Sequence, residues 1–245
     1  YAPETIDPQV VKIAQNAAHY AVQKPDEVTD LVDFKQPEIS DTDLKAPIYI
    51  DFGPTSLSAT PWNNITSHQE SSTTSWIKDV ENNYTNIGVR VLDGFTATHA
   101  GVGSEPASPV TVDGVEFPLT AWKDGLLVKG EKNQGDVGPG RIEISQLDVA
   151  RKYNFTILAI RFNGSKDARI SSYKLVGKTE SAVKEVKTGI KDAASFAAAN
   201  FEEYIAKFEN VEPDSEGKVI VEVKGLDTGS AAEGHINALC ISLAK

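Results

Sequence analysis

The chain has 245 residues, with 24 basic and 35 acidic side chains, a net charge of −11 and 40% apolar residues. That apolar fraction is enough to bury a core, so wholesale disorder is not expected. The acidic balance argues against nucleic acid and anionic membranes as partners, because both require a basic surface. No apolar run approaches the ~18 residues of a membrane span. One cysteine cannot form an internal disulfide or, by itself, a cysteine-based zinc site.

The N-terminal segment differs from the rest of the chain. Asp7 and Pro8 are typical of a helix N-cap followed by proline at the first helical position. Apolar residues over 11–22 recur at spacings of three and four, which predicts one amphipathic helix ending before Pro25. Residues 25–47 are rich in Asp, Glu, Pro and Thr, and we interpret them as an extended linker.

The pattern then changes to short strands, each rich in β-branched or aromatic residues and most ended by Gly, Asp or Pro. About eight such strands without intervening helices predict an all-β sandwich. We therefore divide the chain into a helix and linker over 1–45 and one sandwich over 46–245. The predicted strands cover residues 48–52, 88–92, 126–129, 141–145, 153–161, 171–176, 218–223 and 235–243.

Catalytic motifs are scarce. The chain has no Gly-x-Ser-x-Gly turn, and no Gly-Asp-Ser near its start, so a serine-hydrolase triad is disfavoured. A pair of carboxylates facing each other across a cleft, as glycosidases use, stays open among 35 acidic residues.

Aromatic and amide groups in polar loops are the better indication of function. Sugar recognition combines an aromatic platform for the pyranose ring with planar polar groups that bind its hydroxyls. Trp62, Asn63 and Asn64 follow the first strand, and Trp122 lies before Gly125. We predict that both indoles stack on a sugar, the alternative being that each one plugs an end of the core.

A second candidate lies in the loop after the long predicted strand. Arg161, Asp167 and Arg169 emerge there at one edge of the sandwich, where they predict a polar ligand clamp. The alternative is an Arg–Asp pair that only pins the loop. His99 lies in a predicted loop and His235 starts the last predicted strand. Either could line a site, but we interpret both as incidental, and Cys240 as a buried small apolar residue.

A colinear series of motifs resembles a known family. The motifs are Ile48-Tyr-Ile-Asp-Phe-Gly53, Pro61-Trp-Asn-Asn64, Gly88-Val-Arg-Val-Leu92, Ile142-Glu-Ile-Ser-Gln-Leu147, Tyr153-Asn-Phe-Thr-Ile157, Tyr173-Lys-Leu-Val-Gly177, Val211-Glu-Pro-Asp214, Gly217-Lys-Val-Ile-Val-Glu-Val223 and His235-Ile-Asn-Ala-Leu239. Together they resemble the galactose-binding-like jelly-roll modules of secreted bacterial proteins, especially those of Bacteroidetes. Such modules are often attached to SGNH-type esterases and other polysaccharide-active enzymes. The resemblance covers about residues 46–245 and implies a jelly-roll β-sandwich, export, and glycan binding or support of a catalytic partner.

Three details follow from this resemblance. The family's usual Asp-Asn-Arg loop reads Asp167-Ala168-Arg169 here, so one amide is missing. A structural calcium ion is implied near the start and end of the sandwich, where Asp51 and nearby carbonyls are candidate ligands. Residues 191–207 have helical composition, but the family places strands there. We predict a strand over 204–208 and leave 191–200 open, because tertiary pairing overrides propensity.

The leading hypothesis is therefore a non-catalytic, exported module, extracellular, at the cell surface or periplasmic, that binds a glycan or assists a neighbouring enzyme. Its start at Tyr1 rather than Met is interpreted as processing or trimming. A structural or adhesin-like surface domain is the first alternative, and it predicts an exposed apolar patch. A glycan-active hydrolase with an unrecognised carboxylate pair is the second.

Overall fold

The computed structural model describes residues 44–55, 57–129, 139–162, 169–226 and 233–245. The helix and most of the linker predicted over 1–45 lie outside the described residues, so that domain boundary stays a prediction. Within the described part of the chain, none of the helices has the length and apolarity required to cross a membrane.

The described elements are almost entirely strands. Two short α-helices, α1 (Leu119–Trp122) and α2 (Ala193–Ala197), and one 3-10 helix (Phe201–Tyr204) interrupt them. In chain order the strands are β1 (Ile48–Phe52), β2 (Trp62–Ile65), β3 (Thr73–Thr74), β4 (Gly88–Asp93), β5 (Ala97–His99), β6 (Val110–Val112), β7 (Val115–Phe117), β8 (Gly125–Lys129), β9 (Gly140–Ser145), β10 (Tyr153–Leu158), β11 (Arg161–Phe162), β12 (Ile170–Val176), β13 (Lys184–Lys187), β14 (Gly189–Ile190), β15 (Ile205–Val211), β16 (Val219–Leu226), β17 (Glu233–Ile236) and β18 (Ala238–Leu243).

Two large sheets form a sandwich. One sheet has the order β15-β10-β18-β1-β2 and the other the order β13-β12-β16-β9-β4-β3. Within these two sheets neighbouring strands are antiparallel except β1 and β2, which run parallel. Three smaller sheets, β17-β8-β5, β11-β14 and β6-β7, complete the described structure. The described residues thus form an all-β jelly-roll sandwich, which confirms the fold class predicted from the sequence.

The core lies between the two large sheets, where strict alternation in the sequence places every second side chain. Ile48 and Ile50 of β1 face Ile142 and Ile144 of β9 within one buried cluster. The intervening side chains of β9, such as Glu143, are only partly buried. This pattern is typical of an antiparallel sandwich with one dry face per sheet.

A second apolar cluster covers the outer face of the five-stranded sheet. Its members come from that sheet, from residues 110–122, from residues 160–162 and from residues 190–205. Leu158 and Ala238 of the sheet pack there beside Trp122 and Phe196. This end of the five-stranded sheet is therefore buried on both faces, as the continuous apolar run in β10 indicates.

Two of the predicted strands are interrupted in the structure. The strand predicted over 153–161 ends at Leu158, because Ala159 N–H turns to the Tyr204 carbonyl and the chain leaves the sheet. The strand predicted over 235–243 breaks at Asn237 into β17 and β18. Both breaks move the following residues from one sheet to another.

The ambiguous stretch 191–207 contains helix and strand in succession. Asp192 caps helix α2, since its carboxylate accepts a hydrogen bond of 2.8 Å from Ser195 N–H. The 3-10 helix follows, and β15 begins at Ile205 beside β10. The strand predicted over 204–208 is confirmed except at Tyr204, which closes the 3-10 helix.

Candidate functional site

Five polar side chains meet at one edge of the sandwich, and we call them the arginine cluster: Arg161, Arg169, His99, His235 and Glu233. The edge is where several strands end or begin. In the strand register, the last residue of β16 pairs with the first of β12, and the last of β8 pairs with the first of β17. The cluster thus combines residues separated by up to 136 positions in the chain (His99 to His235).

The backbone of Thr188 places the two arginines side by side. Its carbonyl accepts a hydrogen bond of 2.6 Å from Arg161 N–H, and its N–H donates one of 2.9 Å to the Arg169 carbonyl. Arg161 begins β11, which pairs with β14, and Arg169 immediately precedes β12. Both guanidinium groups therefore project from fixed backbone positions.

The two histidines come from the three-stranded sheet. In its register His235 lies opposite Leu127, and His99 lies opposite Gly125. A side chain at Gly125 has no space, because a Cβ there would lie 2.5 Å from the Ile236 carbonyl oxygen and 3.1 Å from His99 Nε2. Glycine at this position lets the His99 ring approach His235, with ring centroids 5.1 Å apart in an edge-to-face arrangement.

The backbone of His235 is held on both sides. Its N–H donates a hydrogen bond of 3.0 Å to Ser171 Oγ, and its carbonyl accepts one from the Tyr173 hydroxyl. Burial raises the pKa of Tyr173 above its usual value, so the phenol stays protonated as the donor. The His235 imidazole is therefore a fixed part of the cluster, and its side chain is fully buried.

Short polar contacts connect the five side chains. Arg169 Nη1 lies 2.8 Å from Glu233 Oε2 and 3.4 Å from His235 Nε2. His235 Nε2 lies 3.6 Å from the same Glu233 oxygen. Arg161 Nη1 lies 3.2 Å from His99 Nδ1. One arginine is thus ion-paired, whereas the other contacts a ring nitrogen.

The electrostatics keep both imidazoles neutral at neutral pH. Burial lowers the pKa of His235 to about 4, although Glu233 partly opposes this shift. Burial lowers the pKa of His99 well below its usual value, and His235 and the two arginines lower it further. Glu233 stays ionised, because hydrogen bonding to His235 and the charge of Arg169 lower its pKa to about 2.

Several hydrogen-bonding positions of the cluster are unfilled. Arg161 Nε, Arg169 Nε, His99 Nε2 and His235 Nδ1 are buried and have no hydrogen-bond partner among the described residues. Such groups are uncommon in folded proteins, since an unpaired buried polar atom costs roughly 1–3 kcal/mol. Arg161 and Glu233 are partly exposed and form the accessible rim of the cluster.

The sequence located part of this cluster. Arg161 and Arg169 were predicted as a clamp at one edge, and the structure brings them together there. Asp167, the third member of the predicted clamp, lies outside the described residues. His99 and His235 were interpreted as incidental. The signal that could have found them is only their position at strand ends, since no local spacing relates them.

The two predicted tryptophan platforms need correction. Trp122 is 0% exposed and stacks on Phe196 with ring centroids 4.9 Å apart. Trp62 is 9% exposed and lies between Tyr49 and Phe117, at centroid distances of 5.1 and 5.6 Å. Both belong to the second apolar cluster, so neither indole presents a free face to a sugar ring. The alternative that each plugs the core fits their burial.

The two predicted asparagine contacts are also occupied by the fold. Asn63 and Asn64 lie in strand β2 rather than in a loop. The Asn63 amide donates to the Tyr49 and Lys78 carbonyls and accepts from Lys78 N–H. Asn64 makes a reciprocal pair of bonds with the Ser58 backbone. These amide groups are thus used to hold loops against the sheet.

A buried pair of carboxylates lies elsewhere, at the end of β1. Asp51 is 1% exposed and Asp124 is 0% exposed, and each has one oxygen, Oδ1, without a hydrogen-bond partner among the described residues. Thr55 N–H and Oγ–H donate to the other oxygen of Asp124, at 2.9 and 2.8 Å. Burial raises the pKa of Asp51 to about 7, and the nearby Asp124 charge adds to the rise.

This carboxylate pair is unlike a glycosidase site. Glycosidase carboxylates flank an open cleft in which the sugar lies, whereas Asp51 and Asp124 are enclosed. Even Gly53, next to them, has no room for a Cβ, which would lie 2.4 Å from Asp124 Cγ. Two unpaired, enclosed carboxylate oxygens fit the donor type that a hard cation such as Ca²⁺ prefers.

The fold and the arginine cluster together define a jelly-roll sandwich with a polar site at its loop edge. No protein-family model matches the chain, and no curated protein matches it. The chain is similar to TmCBM61, a carbohydrate-binding module in complex with β-1,4-galactotriose, at 13% identity over 49% of this chain and 71% of that one, with a TM-score of 0.29.

Two further structures are similar at comparable levels. The ANX2 ectodomain from Arabidopsis thaliana matches at 8% identity over 70% of this chain and 53% of that one, with a TM-score of 0.41. Truncated AlyQ, with CBM32 and alginate lyase domains, matches at 13% identity over 64% of this chain, with a TM-score of 0.28. The matched part spans only 34% of the AlyQ chain.

Proposed function

We propose that this protein is a non-catalytic, exported β-sandwich module that binds a glycan at the arginine cluster. The observation that carries the proposal is the accessible rim formed by Arg161 and Glu233, two partly exposed groups of opposite charge next to the buried Arg169, His99 and His235. A bound molecule rich in hydroxyl groups can accept hydrogen bonds from the Arg161 guanidinium and donate to the Glu233 carboxylate.

The chemistry of the cluster suits sugar hydroxyls. A guanidinium group donates several hydrogen bonds in one plane, and the ionised Glu233 accepts from hydroxyl groups. The neutral imidazoles of His99 and His235 are buried and contact Arg161 and Arg169, so they hold the two guanidinium groups in place. The cluster can therefore bind neighbouring hydroxyls that act as donor and acceptor at once.

Export and a role beside a polysaccharide-active enzyme follow from the resemblance of the strand motifs to secreted galactose-binding-like modules. The expected partners are then a glycan or polysaccharide and a neighbouring catalytic domain, without nucleic acid. The absence of catalysis is part of the proposal, and the enclosed position of Asp51 and Asp124 supports it.

The proposal is tested by affinity electrophoresis and isothermal titration calorimetry against a panel of plant and algal polysaccharides. We expect Arg161→Gln to weaken binding about tenfold, because a charge-assisted hydrogen bond is lost. Arg90→Gln is the matched control, since Arg90 is exposed on β4 in the six-stranded sheet. Wild-type protein that ignores every polysaccharide, or an Arg161 variant that binds like wild type, would contradict the proposal.

A structural calcium ion at the buried carboxylates is the second part of the proposal. Asp51 and Asp124 would hold it through their unpaired oxygens, with further oxygens from the backbone or water. When bound, the ion would neutralise two buried negative charges and tie the end of β1 to the start of β8.

Removal of the ion gives the corresponding prediction. We expect EDTA to lower the melting temperature of the wild type, because the two buried carboxylates then repel each other. The Asp51→Asn variant should respond less to added Ca²⁺, since one ligand charge is gone. Differential scanning calorimetry in EDTA and in 2 mM Ca²⁺, about the level of weak extracellular sites, measures both. A wild-type melting temperature that is equal in the two buffers contradicts the calcium site.

One observation favours a second function, that of a surface interaction domain. Trp76 is 40% exposed and Tyr84 is 48% exposed, and both lie on the hairpin over residues 75–87. Trp76 also has a φ of +54°, an unusual backbone conformation for a bulky residue. Loss of partner binding on Trp76→Ala, with glycan binding intact, would favour this function.

A further inference from the structure

We infer that the arginine cluster selects acidic sugars by binding the carboxylate of a uronic acid residue to Arg161, an inference that rests on the proposed glycan-binding function. The two arginines differ in the charge that each guanidinium faces, since Arg169 faces a carboxylate and Arg161 faces a neutral ring. A site for neutral hydroxyl groups does not require this difference.

Arg169 is already neutralised, whereas Arg161 is not. The Arg169 side chain is 5% exposed and pairs with Glu233 at 2.8 Å. Arg161 is partly exposed, and it forms no ion pair within the described ranges. Its terminal nitrogen instead contacts a neutral imidazole, His99, at 3.2 Å. An accessible positive charge therefore remains at the rim.

The charged groups around Arg161 do not neutralise its positive charge. Burial lowers the pKa of Arg161, and repulsion from Arg169 lowers it further, whereas Glu233 and Glu105 oppose the shift. The Glu105 carboxylate is engaged elsewhere, since its oxygens accept hydrogen bonds of 2.5 and 2.9 Å from the N–H groups of Val102 and Gly103. An anion beside Arg161 would restore the solvation that burial takes from the guanidinium.

A carboxylate fits this position better than a neutral hydroxyl group. Guanidinium and carboxylate groups are both planar and form two parallel hydrogen bonds, and the partly exposed Arg161 side chain places a guanidinium at the rim. The hydroxyl groups of the same sugar can then bind Glu233, which is also partly exposed. A uronic acid supplies a carboxylate and neighbouring hydroxyls on one ring, which matches the cluster.

The experiment uses matched pairs of oligosaccharides. Oligogalacturonides, mannuronate and guluronate oligomers, and glucuronic acid oligomers are each compared with the same chain after reduction of its carboxyl groups. Calorimetry at 50 and 300 mM NaCl should show at least one acidic oligomer binding about tenfold tighter than its reduced form. High salt should reduce this preference, because the carboxylate contact at the exposed rim is screened.

Variants separate charge from shape. Arg161→Gln should reduce the acidic preference to about twofold or less, and Arg161→Lys should retain part of it, since the charge remains but the planar fork is lost. Glu233→Gln should weaken binding of the reduced oligomer, since the carboxylate that accepts from sugar hydroxyls is lost, and weaken the acidic oligomer less, since a nearby negative charge is removed with it. Urea unfolding checks that each variant is folded, and Arg90→Gln serves as the control.

Two results overturn the inference and can be told apart from failure of the proposed function. If reduced oligomers bind as tightly as acidic ones and Arg161→Gln weakens both, the cluster binds glycans without selecting acidic ones. If Arg161→Gln keeps the full acidic preference, the carboxylate is recognised elsewhere. If wild-type protein binds neither set but binds a neutral polysaccharide, the inference alone fails, whereas a wild-type protein that binds no glycan at all overturns the proposed function as well.

Discussion

Replacement of Trp122 by alanine should lower the free energy of unfolding by about 3–5 kcal/mol, the range for truncating a buried tryptophan. The indole is fully buried, stacks on Phe196, and donates a hydrogen bond of 3.2 Å from Nε1 to the Ser108 carbonyl. Truncation would leave a cavity in the second apolar cluster and an unpaired carbonyl. Urea unfolding followed by circular dichroism measures the change, and an unaltered m-value would show that the denatured state is unaffected.

Trp76→Ala is the matched control for Trp122→Ala. Trp76 is 40% exposed, so its truncation should change stability by no more than about 0.5 kcal/mol. A loss below about 1 kcal/mol for Trp122→Ala would contradict its place in the core. It would also reopen the prediction that this indole stacks on a sugar, which its burial argues against.

Asn237→Ala should have the second largest effect, a loss of roughly 3 kcal/mol, because three buried backbone groups lose their partner. The Asn237 amide donates to the Trp122 and Asp124 carbonyls, at 2.9 and 2.6 Å, and accepts from Ile160 N–H at 2.7 Å. The Asn237 side chain therefore holds three segments together: the break between β17 and β18, the segment that follows β10, and the segment that leads into β8.

Asn64→Ala is the comparison for Asn237→Ala. Its amide makes two hydrogen bonds rather than three, both to the loop at Ser58, and the expected loss is about 1 kcal/mol. Equal losses of unfolding free energy for the two variants would contradict the claim that the Asn237 hydrogen bonds stabilise the fold more than those of Asn64. Asn237 lies two residues after His235, directly after the end of β17. Its replacement should displace β17, which carries Glu233 and His235, and so weaken glycan binding.

The sandwich itself could be predicted because its strands alternate. Buried and partly buried residues alternate along β9 and β16, and turn-forming residues lie at their ends. The two-residue period and the turn residues therefore predict the same strands. The break at Asn237 could not be predicted in the same way. The run from His235 to Leu243 is mostly apolar, with Asn237 as its one amide side chain, and the hydrogen bonds of that amide to the distant carbonyls of Trp122 and Asp124 explain why the chain turns there.

The candidate site was less accessible to sequence reasoning, and for a physical reason. Arg161 and Arg169 are close in the chain, so the strands on either side were enough to place both at one edge. His99 and His235 reach them only through the pairing of β5 and β17 with β8, which no local pattern encodes. Trp62 and Trp122 were misplaced because the outer face of the five-stranded sheet carries a second apolar cluster.

The most direct measurement of the central claim is an NMR titration that observes the Nε–H groups of arginine. Arg161 is partly exposed at the rim and its Nη1 contacts His99, so a ligand bound at the rim should change the surroundings of the Arg161 Nε–H group first. We predict that the Arg161 Nε–H signal shifts and sharpens as a binding oligosaccharide is added, while that of Arg90 stays unchanged. A titration that saturates binding and leaves the Arg161 and Arg169 signals unmoved would contradict the assignment of the site.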